Sequence, residues 1–167
     1  PRPQILIAGG LTPDNVGRLS VAWTYRTGDP GSPLEVTPLK VGDSVFLCTG
    51  SNDVIALDAE TGALRWRFRA GTAAAAAVHR VCRGVAYYRQ PGATGLCSER
   101  IITATGDARL IAVDSATGAP CPGFGNGGQT SLLTGMGAVD PGYYAVSSAP
   151  TIVRGKIVIG GAVLDGQ

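Results

Sequence analysis

Apolar and polar positions fall along this chain in short runs rather than helical stripes, and the runs repeat. The clearest is VIALDAETGALRW, residues 54–66. Val54, Ile55, Ala56 and Leu57 make a strand-forming run, the DAETG segment from Asp58 to Gly62 supplies turn chemistry, and Leu64 and Trp66 resume alternation. Gly62 is where that turn most easily takes a left-handed residue, because glycine has no Cβ. The pattern returns as LIAVDSATG from Leu110 to Gly118, with Asp114 lying 56 positions after Asp58. A strand–turn–strand unit recurring at such a spacing is the signature of β-propeller blades.

The rest of the chain fits around these two units. Thr12 as N-cap, Pro13 at the first helical position and Val16 and Leu19 on one face predict a short helical turn. Val21–Tyr25 alternates like a strand carrying Trp23. Gly42-Asp43 mark a turn before a strand at Val45–Cys48, which with Val54–Leu57 and Leu64–Phe68 makes roughly one blade. Ile101–Thr105 and Leu110–Val113 form the core of a second, and Val153–Ile159 reads as a hairpin-like opening of a third. A single partial propeller domain over 1–167 is therefore expected, with blade-like units near 41–68, 99–124 and a truncated 151–167. That is fewer than the four or more blades a closed propeller needs. Both chain ends read as the interior of a longer protein. Ala73–Ala77 are strong helix formers, but the run is too short to hold a helix by itself. The glycine-rich stretch from Thr130 to Tyr144 is a long loop, and such loops often carry function.

Composition sharpens the fold class. Of 167 residues only 16% are charged while 44% are hydrophobic, and 25 Gly with 11 Pro suit an all-β chain of short strands. A net charge of +2 gives no electrostatic case for nucleic acid or an anionic membrane surface. No apolar run approaches the ~20 residues of a membrane span, and no signal peptide opens the chain. Cys48, Cys82, Cys97 and Cys121 lack CxxC spacing, which argues against zinc. Disulfides would indicate an oxidising compartment such as the periplasm. Cys82–Cys97 is the most natural pair because it closes a short loop around Tyr87–Gly95; the other pairings, and four buried thiols, stay open.

The residues around the repeat narrow the reading. AxDxxTGxxxW, present as Ala56, Asp58, Thr61, Gly62 and Trp66, resembles the tryptophan-docking motif of quinoprotein alcohol dehydrogenases. The combination TPDNVGRLSVAWTYRTGD, EVTPLKVGDSVFLCT, HRVCRGVAYY and SAPTIVRGKIVIGGAVLD is similar to the membrane-associated, pyrroloquinoline quinone (PQQ)-dependent glucose, quinate and polyol dehydrogenases. This resemblance covers nearly the whole chain apart from the alanine run. It implies part of an eight-bladed propeller of four-stranded antiparallel sheets, in which the Trp of one blade packs on the motif of its neighbour. The second repeat departs from the pattern: Pro122 stands at the Trp position, so that seam must be held by other means, such as a disulfide.

The resemblance also implies a set of site residues. PQQ is a flat o-quinone with three carboxylates, so its site needs cations, hydrogen-bond partners and stacking surfaces. Arg83 matches the family arginine that meets a PQQ carboxylate, where a guanidinium fork suits a planar anion better than lysine. His79 matches a histidine bordering the cofactor, Glu35 a glutamate hydrogen-bonded near it, and Ser147 a hydroxyl position that contacts it. Asp165 falls where relatives place a carboxylate beside a divalent metal, Ca²⁺ or Mg²⁺; Gly166 follows it where glucose-oxidising relatives carry Asn. Each also has a plain alternative: a surface arginine, a loop histidine, a solvated glutamate, a strand-edge serine, a turn carboxylate.

The implied reaction is oxidation of a sugar, cyclic polyol or other alcohol to its carbonyl. A carboxylate base takes the hydroxyl proton and hydride passes to the PQQ C5 carbonyl, polarised by the metal. Electrons then pass to membrane ubiquinone on the periplasmic side of the bacterial inner membrane. No catalytic residue is assigned within the chain, because the base is expected beyond Gln167, and the chain alone is expected to be inactive. Two other readings have their own features. A quinoprotein-like binding or assembly scaffold would keep the docking motif but has no reason to keep Arg83, His79 and Glu35 together. A soluble cytochrome-linked alcohol dehydrogenase usually shows adjacent cysteines where this chain has His79–Cys82. A nucleotide enzyme is poorly supported, since GFGNGG at Gly123–Gly128 lacks the strand–helix context of a phosphate cradle.

Overall fold

Gly42-Asp43 reverse the chain between Leu39–Val41 (β1) and Ser44–Cys48 (β2), and Gly42 takes the left-handed conformation the tight turn requires. This is the first hairpin of the computed structural model, which describes residues 10–29, 34–71, 81–140, 143–146 and 148–163. Val54–Asp58 (β3) and Leu64–Phe68 (β4) complete a four-stranded antiparallel sheet in the order β1-β2-β3-β4. Ala86–Arg89 (β5), Glu99–Ala104 (β6), Arg109–Asp114 (β7) and Gln129–Ser131 (β8) form a second sheet of the same order. Tyr144–Ala145 (β9) then pairs with Ala162–Val163 (β12), while Thr151–Val153 (β10) and Lys156–Val158 (β11) make the hairpin expected there. No α-helix occurs among the described residues.

The central strands are apolar on both faces because both faces are covered. In β3, Val54 and Ala56 pack with Phe46, Ile101, Ile111 and Val113 toward the second sheet, whereas Ile55 and Leu57 pack with Leu47 against Trp23 and Tyr25. The far side of the second sheet, with Ile102, Leu110 and Ala112, packs on Val146, Ile152 and Ile157. Sheet therefore stacks on sheet, with the core in the seams.

The repeat is reproduced atom by atom. Asp58 Oδ1 accepts the Glu60 N–H, the Thr61 N–H and the Thr61 hydroxyl, and Asp114 Oδ1 accepts the same three donors from Ala116 and Thr117. Trp23 Nε1 donates to Ala59 O, and Trp66 Nε1 donates to Ser115 O in the other sheet. The docking motif thus locks the first sheet to the second. Arg109 reinforces the seam by donating to Ala70 O at 3.0 Å.

Three expectations are corrected. Val21–Tyr25 is not a strand: residue 23 makes only an isolated bridge, and the alternation reflects Trp23 and Tyr25 docking on the first sheet. The helical turn is a short 3-10 segment, Val16–Arg18, and Thr12 does not cap it; Asn15 instead accepts the Thr12 N–H through Oδ1. Val16 and Leu19 are both exposed rather than packed on a shared face.

The third correction concerns the cysteines, which pair as Cys48–Cys82 and Cys97–Cys121 rather than Cys82–Cys97. Cys82 leads into β5 and Cys97 leads into β6, and antiparallel pairing puts those two strand beginnings at opposite ends of the sheet. Cys121 follows β7, whose end lies beside the start of β6, so it is Cys97's neighbour. This disulfide lies within the second sheet. The one joining the two sheets is Cys48–Cys82.

Candidate functional site

Three segments leading into the first strands of successive units lie side by side. Glu35–Thr37 precedes β1, Cys82–Gly84 precedes β5 and Ser148–Pro150 precedes β10. The Thr37 N–H donates to Arg83 O at 2.9 Å. At Gly84 a Cβ would stand 3.0 Å from the Ala149 Cβ and 3.5 Å from Thr37 O, so glycine lets the three segments approach. Glu35, two residues before Thr37, faces Arg83: Arg83 Nη2 lies 3.4 Å from Glu35 Oε2, with side chains 58% and 43% exposed.

Two of the five expected site residues, Glu35 and Arg83, are thus brought together. His79, Ser147 and Asp165 lie outside the described residues. Among the described residues no group of three or more His, Cys, Asp and Glu side chains gathers in a way that could hold a metal ion. Sequence reasoning did not single out Thr37 and Gly84 as the contacts that place Arg83, nor the Cys48–Cys82 bond beside it. The Gly directly after Arg83 was the available signal.

The remaining charged clusters are structural. A cleft of about 520 Å³ is lined by Ala22, Lys40, Asp43, Asp58, Ala59, Glu60 and Arg65. At the docking turn beside it Arg65 Nη2 lies 2.7 Å from Asp58 Oδ2 and Lys40 donates to Gly42 O. The Arg65 guanidinium, helped by the Thr61 donors, holds the Asp58 carboxyl far below the usual carboxylate range. Asp114 is opposed by its burial, yet the Cys97 N–H at 2.7 Å and the Thr117 donors hold its carboxyl below the ordinary value. Burial, and then Glu99, push the Tyr87 hydroxyl up.

Two four-stranded antiparallel sheets of the same strand order, with Trp66 of the first seated over the Thr-Gly turn of the second, define a stretch of β-propeller. The model of the family described as "PQQ: Glucose/ethanol/alcohol dehydrogenase, beta-propeller domain" matches residues 8–167, and the chain belongs to that family. It is 41% identical over 94% of its length to the glycerol dehydrogenase large subunit of Gluconobacter oxydans (strain 621H), covering 22% of that protein. It is 37% identical over 93% of its length to the quinoprotein glucose dehydrogenase of Escherichia coli (strain K12), covering 21% of it. The chain therefore spans about a fifth of the length of these relatives. Its fold is also that of a europium-containing methanol dehydrogenase, with a TM-score of 0.64 at 24% identity over 90% of this chain and 24% of the other.

Proposed function

We propose that this chain builds part of the cofactor wall of a PQQ-dependent dehydrogenase that oxidises a sugar, cyclic polyol or other alcohol to its carbonyl. The substrate classes are those of its relatives, of glycerol, quinate/shikimate or glucose type, with electrons passing to membrane ubiquinone. The observation that carries the reading is the Glu35–Arg83 pair, held where three successive units meet. An exposed guanidinium has five N–H donors, and a single carboxylate at 3.4 Å leaves most of that fork available. Such a donor set fits one carboxylate of a planar tricarboxylate quinone.

PQQ, when bound, supplies the two-electron acceptor. In this reading Arg83 binds and orients one of its carboxylates and Glu35 fixes the direction of the guanidinium. By resemblance His79 and Ser147 border the same pocket and Asp165 serves a Ca²⁺ or Mg²⁺ ion. The chain acts as one partial propeller unit, with the general base supplied from outside it. Two disulfides agree with a site on the periplasmic side of the inner membrane.

The test is PQQ titration of the intact protein, wild type against Arg83→Ala and Arg83→Lys, with Ca²⁺ or Mg²⁺ present. Losing charge-assisted hydrogen bonds should weaken binding roughly tenfold to a hundredfold in the alanine variant, with lysine intermediate. A folded protein that binds no PQQ at any metal concentration would sink the reading and leave a non-catalytic scaffold in its place.

A further inference from the structure

We infer that the Cys48–Cys82 disulfide is a positioning element of the cofactor site: it fixes the point on the backbone from which the Arg83 guanidinium projects. This rests on the reading of Arg83 given above. Cys48 ends β2 in the first sheet and Cys82 immediately precedes Arg83, so the bond ties the two units at the residue next to the proposed ligand. The other side of Arg83 is held by the Thr37 N–H on its carbonyl, and Gly84 is pressed against Ala149. The backbone at Arg83 is thus clamped by three elements, one of them covalent, while its side chain stays open to solvent.

Both cysteines are buried, at 0% and 6% exposure, so the bond is shielded rather than displayed for exchange. A long, rotamer-rich side chain binds an anion well only when its starting point is preorganised, since otherwise the ordering cost falls on the binding step. Cys97–Cys121 offers an internal contrast. It is equally buried but lies within the second sheet, where the Cys97 N–H serves Asp114.

The experiment uses the intact protein and PQQ with Ca²⁺. Cys48→Ala/Cys82→Ala and Cys97→Ala/Cys121→Ala are each made alone and combined with Arg83→Ala, and PQQ affinity and thermal midpoint are both measured. Both cysteine pairs should lower the midpoint, but only Cys48→Ala/Cys82→Ala should weaken PQQ, by roughly tenfold, the scale on which supports of a ligating side chain act. In the Arg83→Ala background that second loss should vanish, because there is no guanidinium left to position. A Cys48→Ala/Cys82→Ala protein that binds PQQ as wild type does, or that loses as much again with Arg83→Ala, would overturn the inference while leaving Arg83 as a ligand. An Arg83→Ala protein that binds PQQ normally would instead overturn the reading beneath it, and the inference too. Should the alanine pair fail to fold, Cys48→Val/Cys82→Ala refills part of the buried volume and is judged by the same comparison.

Discussion

The Trp66 indole occupies the space a side chain on Gly118 would need. A Cβ at Gly118 would stand 2.6 Å from Trp66 Cε3, and Trp23 meets Gly62 in the same way at 2.5 Å from Cδ2. The Trp66 ring nitrogen donates to Ser115 O at 3.0 Å, three residues before that glycine, so hydrogen bond and ring contact register the two sheets together. Glycine is required twice over here, since the turn also holds it at φ +74°.

Gly118→Ala should therefore cost about 3 kcal/mol, about 1 from the left-handed backbone and the rest from forcing the indole off its seat. Gly62→Ala should cost a similar amount. Urea denaturation of the intact protein reads both. A Gly42→Ala control separates the terms, because Gly42 shares the positive φ but would place its Cβ in open space.

Asp114 should make part of the stability pH-dependent. Its folded-state pKa is depressed below 3.8, so its contribution is complete above that value and is lost as pH falls through the folded pKa. Asp114→Asn keeps an acceptor for the turn but places an uncharged amide against the Cys97 N–H, which should cost about 2 kcal/mol near neutral pH. The gap between variant and wild type should close in acid, where wild type also loses the charge. A gap that stays constant down to acid unfolding would show that the carboxylate's charge contributes nothing.

Much of the framework is legible in the sequence because its signals are local. The strands at Val54–Leu57 and Leu64–Phe68 follow from apolar runs broken by DAETG, and the two Thr-Gly turns repeat their hydrogen bonds because the residue types repeat. Seating of the Trp on a neighbouring turn follows from the family motif and not from periodicity, which by itself reads Trp23 as a strand residue. That the cysteines form disulfides is legible in the sequence, but their pairing is not. Cys82–Cys97 is close in sequence, but sheet topology decides which strand ends meet, and that depends on pairings formed across the whole chain. For the proposed site, Glu35 and Arg83 are named by resemblance alone and the structure brings the two side chains together, whereas the clamp around Arg83 is made by backbone groups of Thr37 and Gly84, which carry no chemical signature of their own.

Thr49 and Thr105 hold equivalent places, each at the end of a strand and each buried, yet their hydroxyls differ. Thr105 Oγ1 accepts the Arg109 N–H at 3.1 Å and donates toward Asp107, whereas Thr49 Oγ1 has no hydrogen-bond partner among the described residues. Thr105→Val should therefore cost about 1–2 kcal/mol, while Thr49→Val should be neutral or stabilising. Equal losses at both positions, in thermal or urea melts, would contradict this.

The Glu35–Arg83 pair should matter for binding and hardly at all for folding. At 3.4 Å, with both side chains largely exposed, it belongs with surface ion pairs, whose median contribution is about 0–1 kcal/mol. Arg67 is the internal comparison, because its guanidinium is far less exposed and grips Asp53 at 2.7 Å while also donating to Thr27 O. Arg83→Ala and Glu35→Gln should thus leave the unfolding midpoint of the apoprotein within error, whereas Arg67→Ala should lower it by about 2 kcal/mol of stability. If Arg83→Ala destabilised the apoprotein as much as Arg67→Ala does, Arg83 would be a structural residue, and its place beside a cofactor would lose its main support.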